Sequence, residues 1–599
     1  MKRLISIFLV LVLSAISSAE ISLEIIYPKQ DQELPAVDST FIFGNVTKGA
    51  ELRINGHNVS VHEDGGWLAF VPVEPGAFVL SLVAISDNDT ASLELPVRVG
   101  PNGSLYMMPQ PLILHASVPD GEMIYSVGSV FEFTFEAPPG GVGWFSIGSG
   151  RPVMMLETAP TEQIYWGDVF GGSATSESSM DEYISYTGHY RLTSADTGLH
   201  RINYGYQFHS VGNGNFIQTK YYTEPVMTVI PEFPPLIGEF TGRSQIIRTG
   251  PWLGYKLLYL PPGIRAKIIG ARDGFYELGL ADGVTGYTNI DSVTLLPAGT
   301  PVPKGRVSFI SIDCSDAGIV ISAHTGEKLP FEINETISPS NLDIDIFGVT
   351  GDVDWIRYNN HDKFGGLVKW SQPFDDIFRI SVEYGKFAIG GYKPYYDGNT
   401  FVLEVSKKSE SNTFFYTSVK GLKIVIDPGH SHDSGAVGPT GLPEKNANLW
   451  IAHELRLMLE QEGADVLMTR YGHEHIPLYD RPKMAEKWGA DLLISIHNNA
   501  LPDGINPYEN NGTSVYYYHP HSKPLAEAIH KRLVKATGLP DHGLYYGNLV
   551  LTRPTGMPAV LVECAFMMIP EQEAMLKTDK FQRKCAMAIL EGIKDYLKK

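Results

Sequence analysis

Near Ser411 the sequence changes its period, and that change divides the chain into two kinds of fold. Before it, apolar residues recur at every second position in short runs broken by Asn-Gly, Gly-Gly and Pro-Gly pairs. This is the pattern of antiparallel strands joined by tight turns. After it, strand-like runs alternate with amphipathic helical ones: Lys423 to Asp427, Ala447 to Glu462, Asp465 to Met468, Arg481 to Lys487, Asp491 to Ile496, Pro524 to Thr537, Ala559 to Val562 and Phe581 to Leu597. Such alternation predicts an α/β domain around a mainly parallel sheet. The expected fold class is therefore multidomain, with N-terminal all-β modules followed by a C-terminal α/β domain.

The β-rich part divides further. Residues 1–19 carry Lys2 and Arg3, an apolar run from Leu4 to Leu13, and Ser17 and Ala19 at the −3 and −1 places before Glu20. That arrangement predicts a cleaved secretory signal, too short in its apolar run for a comfortable membrane span. Residues 20–100 read as an antiparallel sandwich; Phe43-Gly44-Asn45-Val46, Arg53-Ile54-Asn55-Gly56 and Gly65-Gly66-Trp67 resemble bacterial immunoglobulin-like modules. Residues 101–230 are strand-like but match no recognisable type, with a Ser/Gly-rich loop at Gly171 to Ser179. Residues 231–297 resemble a small Src-homology-like barrel, and three prolines between Pro297 and Pro303 predict a linker. Residues 304–411 weakly resemble an AMIN-type β domain, and residues 421–599 form the α/β unit.

Charge narrows the function classes. The chain carries 47 Lys and Arg against 67 Asp and Glu, a net of −20, and nearly all of that excess falls before residue 421. A nucleic-acid binder would need clustered cations to neutralise phosphates, so nucleic acid is not the expected partner. Cys314, Cys564 and Cys585 make no disulfide framework and no paired zinc motif, so a metal must use other ligands. No run after the signal is apolar and long enough to span a bilayer, and no membrane span is expected in the mature protein.

Chemistry is expected where the strands of an open α/β sheet end. His430 follows Ile424-Val425-Ile426 through Asp427-Pro428-Gly429, His497 closes Leu492 to Ile496, and Glu563 closes Val560-Leu561-Val562. Glu444 stands in a Gly/Pro-rich loop just ahead of the helical run from Ala447. Two imidazoles and a carboxylate around one point match a catalytic zinc shell, which leaves a second carboxylate free as base. Singly, each residue has a plainer role: a hydrogen-bonded histidine, or a carboxylate favouring a helix N-terminus.

Taken in order, Ile426-Asp427-Pro428-Gly429-His430, Glu444-Lys445-Asn446-Ala447-Asn448-Leu449, Thr469-Arg470, Ser495-Ile496-His497-Asn498-Asn499-Ala500 and Pro558 to Glu563 resemble the zinc-dependent N-acetylmuramoyl-L-alanine amidases. The resemblance covers residues 421–597. It implies zinc as cofactor, with His430, Glu444 and His497 as ligands and Glu563 as the catalytic carboxylate. The implied substrate is peptidoglycan, cut between N-acetylmuramic acid and L-alanine of the stem peptide. Arg470 and Asn499 are candidates for substrate binding; for Arg470 and Arg481 a structural ion pair is the competing role. Only Ser431 and His432 separate His430 from Asp433, and Cys564-Ala565-Phe566 follows Glu563. Both depart from the family's usual pattern without removing a ligand.

Two other classes stay open at this point: a zinc peptidase acting within the stem peptide, and an inactive wall-binding scaffold. His519 and His521, like His473 and His475, read as ordinary surface residues. Leu501 to Asn511 contains no extra apolar helix, which predicts a site open without a protein activator. The expected location is exported, periplasmic or in the cell envelope, with the β modules available to protein partners.

Overall fold

The computed structural model describes residues 21–99 (less 36, 75, 87 and 88), 113, 116–117, 123–158, 184–209, 216–223, 227–242, 245–337, 340–384, 388–408 and 418–598. The expected signal at residues 1–19 and the loop Gly171 to Ser179 lie outside them. The described part is a large all-β region followed by an α/β domain.

Residues 21–99 form a three-stranded and a five-stranded sheet that share one core around Trp67, Leu52, Leu80 and Leu82. Alternating apolar positions, as in Glu51–Ile54, send every second side chain into that core. Further on, the expected boundary at 230/231 does not separate two sheets. Met123–Ser126 and Met227–Ile230 pair with each other and join the sheet formed by residues 236–295, through contacts of Tyr125 with Gly270. Periodicity reports strands but not their neighbours, so this pairing is not visible in the sequence. Residues 305–407 make a five-stranded and a four-stranded sheet, and their core is continuous with that of residues 236–295.

The C-terminal domain is built on a six-stranded sheet. Its strands are β1 (Lys423–Pro428), β2 (Asp465–Met468), β3 (Leu492–Asn499), β4 (Thr513–Tyr517), β5 (Asp541–Tyr546) and β6 (Ala559–Phe566), in the order β2-β1-β3-β6-β4-β5. All adjacent pairs are parallel except β6 with β4. Helices α1 (Glu444–Gln461), α2 (Asp480–Trp488), α3 (Lys523–Thr537), α4 (Pro570–Leu576) and α5 (Asp579–Lys598) accompany it. β1, β3 and β6 are apolar almost throughout because both faces are covered, as parallel sheets require.

α1 buries Ala447, Ile451, Ala452, Leu455 and Leu459, an i, i+4 stripe that fixes which face meets the sheet. α5 buries Phe581, Cys585, Ile589, Ile593 and Tyr596 in the same core. Two short elements, β5 and α4, lack a strong periodic signal and were not anticipated. Glu444 is the first residue of α1 rather than a loop residue ahead of it, with Pro443 immediately before the helix. Among the described residues no helix is long and apolar enough to cross a membrane.

A candidate metal centre at the carboxyl end of the sheet

β1 ends at Pro428, but the chain stays on the sheet for one residue more, since the Gly429 N–H donates to the Ile496 carbonyl at 2.9 Å. His430 then adopts φ 61°. A left-handed backbone at a non-glycine residue is costly and persists where the surroundings over-determine it. Here that turn swings the imidazole of His430 towards β3. Gly429 makes the approach feasible: a Cβ there would stand 2.1 Å from the His497 ring. Gly435 performs the same service on the opposite side, where a Cβ would stand 2.4 Å from Glu444 Oε2.

The result is a tight convergence. Glu444 Oε2 lies 2.9 Å from His430 Nε2, and Glu444 Oε1 lies 3.0 Å from His497 Nδ1. His430, Glu444 and His497 each offer one ligand atom, all within 4.8 Å of one another. Among the described residues this is the only group of three or more such side chains.

The surroundings hold each member in place. Asn448, one turn along α1, donates to Glu444 Oε1 at 3.0 Å and to the Gly429 carbonyl at 3.3 Å. The Asn498 and Ala436 N–H groups complete the carboxylate's partners at 3.2 and 3.0 Å. Burial alone would raise the Glu444 carboxyl, yet the hydrogen bonds from His430 and His497 outweigh it and hold the group well below the usual carboxylate range. Asp433 pairs with His430 Nδ1 and so fixes the ring with Nε2 facing inward. The sequence showed Asp433 only as a spacing anomaly; its contact could have been inferred from the rule that ligating histidines lean on a carboxylate.

Glu563 emerges beside this group, because it is the register partner of His497 on the neighbouring parallel strand. Its Oε2 is buried without a hydrogen-bond partner. Burial, and then the negative charge of Glu444, push its carboxyl well above the usual range. An unpartnered buried carboxyl oxygen is expensive and is characteristic of a group kept for chemistry or for an ion.

Other candidates are placed differently. Arg470 does not reach the cleft: it is fully buried. Its guanidinium donates to the carbonyls of Pro428 (3.0 Å), Gly429 (2.9 Å), Lys445 (2.7 Å) and Gly472 (2.8 Å). It braces the segments that carry His430 and Glu444, which favours the structural role over substrate binding. Arg481 is likewise structural, paired at 3.0 Å with buried Asp427, which also accepts from Thr469 and Ser495. Asn499 stands half-buried at the end of β3, two residues past His497. His432 is exposed and touches His475. His519 and His521 are buried rather than superficial; His521 Nδ1 meets Glu335 of the β region at 2.7 Å. Cys564 is buried in the core alongside Cys585, away from solvent.

Residues 424–595 match the Amidase_3 family, N-acetylmuramoyl-L-alanine amidase. The proteins named probable cell wall amidase LytH are similar to this region: that of Staphylococcus epidermidis is 36% identical over 181 residues, 30% of this chain and 59% of LytH. The Staphylococcus aureus protein is 35% identical over 188 residues, 31% of this chain and 62% of LytH. The chain thus spans about three fifths of the length of these curated relatives. Among solved structures, the catalytic domain of CwlV from Paenibacillus polymyxa shares 38% identity, covering 29% of this chain and 98% of that one, with a TM-score of 0.28. An N-acetylmuramoyl-L-alanine amidase from Clostridium difficile 630 shares 32%, covering 30% and 97%, with a TM-score of 0.28.

Proposed function

We propose that this protein is a zinc-dependent peptidoglycan hydrolase that cuts the amide between N-acetylmuramic acid and the L-alanine of the stem peptide. The observation that carries the reading is the convergence of His430, Glu444 and His497 beside the unpartnered carboxyl oxygen of Glu563, within a domain matching this amidase family. Two nitrogens and one carboxylate oxygen suit zinc, whose catalytic sites keep three protein ligands and an open position.

Zinc bound by those three residues would polarise the scissile carbonyl and lower the pKa of water to about 7. The chain supplies the rest. Glu563, held by a strand register next to His497, accepts a proton from the attacking water and delivers it to the leaving nitrogen of L-alanine. A carboxyl whose pKa is raised by burial holds that proton between the two steps. Asp433 orients His430, while Asn448 and Asn498 keep Glu444 in place. Asn499, half-buried at the end of β3, is the candidate for a hydrogen bond to the substrate.

We further propose an exported location in the cell envelope, supported by the signal-like residues 1–19. The β modules would then serve attachment to the wall or to protein partners. The test is a digest of purified peptidoglycan by the full chain, with zinc and with a chelator, followed by mass analysis. Free stem peptides beginning with L-alanine, lost on chelation, are expected. Fragments cut within the stem would replace this reading by a peptidase, and no products from zinc-loaded protein would replace it by a scaffold.

A further inference from the structure

The segment from Ala500 to Gly512 joins β3 to β4 without a helix or strand, directly after His497 and Asn499. Irregular connections of this length inside a compact domain are either functional or poorly ordered. This one is covered by the other end of the chain. Its Leu501 and Ile505 are buried in a cluster with Phe41, Phe43 and Leu68 of the N-terminal sandwich, together with Phe566 and its neighbours after β6. Between them lies Asp503, whose Oδ2 accepts from the Tyr27 hydroxyl at 2.6 Å and whose Oδ1 accepts from the Thr40 hydroxyl at 2.8 Å. The Tyr508 hydroxyl returns a bond to the Leu68 carbonyl at 2.5 Å.

The same sandwich holds the segment that leads into Glu444. Asn45 donates to the Pro439 carbonyl at 3.3 Å, and Asp64 faces Lys577 at 3.4 Å. Lys577 in turn bonds Thr440. On the amidase side, fully buried Glu573 accepts from the Thr440 and Leu442 N–H groups at 3.0 and 3.1 Å. Residues 436–443 therefore have one flank fixed by α4 and the other by the sandwich.

We propose that the N-terminal sandwich is a built-in clamp of the catalytic cleft, with Asp503 as the positioning residue through which Tyr27 and Thr40 order the wall formed by residues 500–512. Fixing an irregular segment costs conformational entropy at every residue. Packing of Leu501 and Ile505 against Phe41, Phe43 and Leu68, together with the Tyr27 and Thr40 hydroxyl bonds to Asp503, supplies a contribution against that cost which the segment cannot make alone. The clamp acts on substrate binding through residues 500–512, while Glu444 keeps its bonds from Asn448, Asn498 and Ala436. Its kinetic consequence rests on the amidase reading; its structural consequence does not.

The experiment compares the full chain with the double variant Tyr27→Phe/Thr40→Val, which keeps both side-chain volumes, and with Leu68→Ala as a second, apolar probe. Amide hydrogen exchange and steady-state cleavage of a soluble muropeptide are measured on each. At least tenfold faster exchange confined to residues 500–512, unchanged exchange in β1 and β3, and a three- to tenfold rise in KM with kcat within twofold are expected. Unchanged exchange in residues 500–512, or faster exchange with an unaltered KM, would overturn the clamp. A wild-type chain that cleaves no muropeptide overturns the amidase reading, and the exchange result then decides the clamp by itself.

Discussion

His497 and Glu563 are register partners on adjacent parallel strands, β3 and β6. Register partners project to the same face, so the proposed ligand and the proposed acid–base group are delivered side by side by backbone hydrogen bonding alone. Glu563 then finds itself near Glu444, and the two carboxyls are driven in opposite directions, Glu444 well below and Glu563 well above the ordinary range. That separation suits the division of labour proposed for them, a ligand and a proton carrier.

Glu563→Gln keeps the shape and removes the proton carrier. Hydrolysis is expected to fall by about two to four orders of magnitude, the usual worth of general acid–base catalysis. Zinc content, measured on the dialysed protein, should stay at one per chain. A variant that retains activity would remove Glu563 from the mechanism.

Asp433→Asn weakens the partner of His430 Nδ1 without touching a ligand atom. Carboxylates in this position are worth roughly 10- to 100-fold in metal affinity. Competition against a chelating indicator dye should therefore show zinc affinity reduced by that range, with the far-ultraviolet spectrum unchanged. Equal affinity in the variant would mean that His430 is oriented by its left-handed backbone alone.

His519 supplies a pH dependence at the junction with the β region. Burial first, and the neighbouring His521 second, push its pKa down to about 3, and its Nε2 donates to the Arg553 carbonyl at 2.7 Å as a neutral ring. In the unfolded chain an ordinary histidine takes up its proton near pH 6.5. Between those values the unfolded state binds the extra proton, so stability is fully present above about pH 6.5 and is lost as pH falls towards 3. Each unit is worth about 1.4 kcal/mol. His519→Gln, which preserves a donor, should flatten the decline of the thermal midpoint from pH 6.5 to 4; an identical acid limb would refute the assignment.

Arg470→Lys tests the structural role directly. Lysine cannot reproduce a fork that reaches four carbonyls, and it leaves buried acceptors unpaired at roughly 1–3 kcal/mol each. The expected result is a thermal midpoint lowered by several degrees with KM of the folded protein unchanged. A raised KM at constant stability would instead place Arg470 on the substrate.

The sequence disclosed a good deal of this. β1, β3 and β6 are legible because strands buried on both faces read as unbroken apolar runs, and a His or Glu closing such a run is conspicuous. What it concealed is long-range. Nothing near Asp503 signals that Tyr27 and Thr40 will meet it, and nothing near His521 signals Glu335. Arg470 left two roles open for a related reason: a guanidinium that binds carbonyls looks the same in sequence as one that binds a ligand. The register between β3 and β6 was equally invisible, since periodicity places residues on faces but not opposite one another.

The most direct measurement of the central claim is cleavage of a soluble muropeptide by the full chain in oxygen-18 water, with the products weighed by mass spectrometry. Hydrolysis of the muramoyl–alanine amide places the label on the lactyl carboxylate of the amino sugar and releases an unlabelled peptide with a free L-alanine amine. That distribution, abolished by chelation and restored by zinc, is the predicted result. Label in a peptide carboxylate, with the lactyl amide intact, would contradict it.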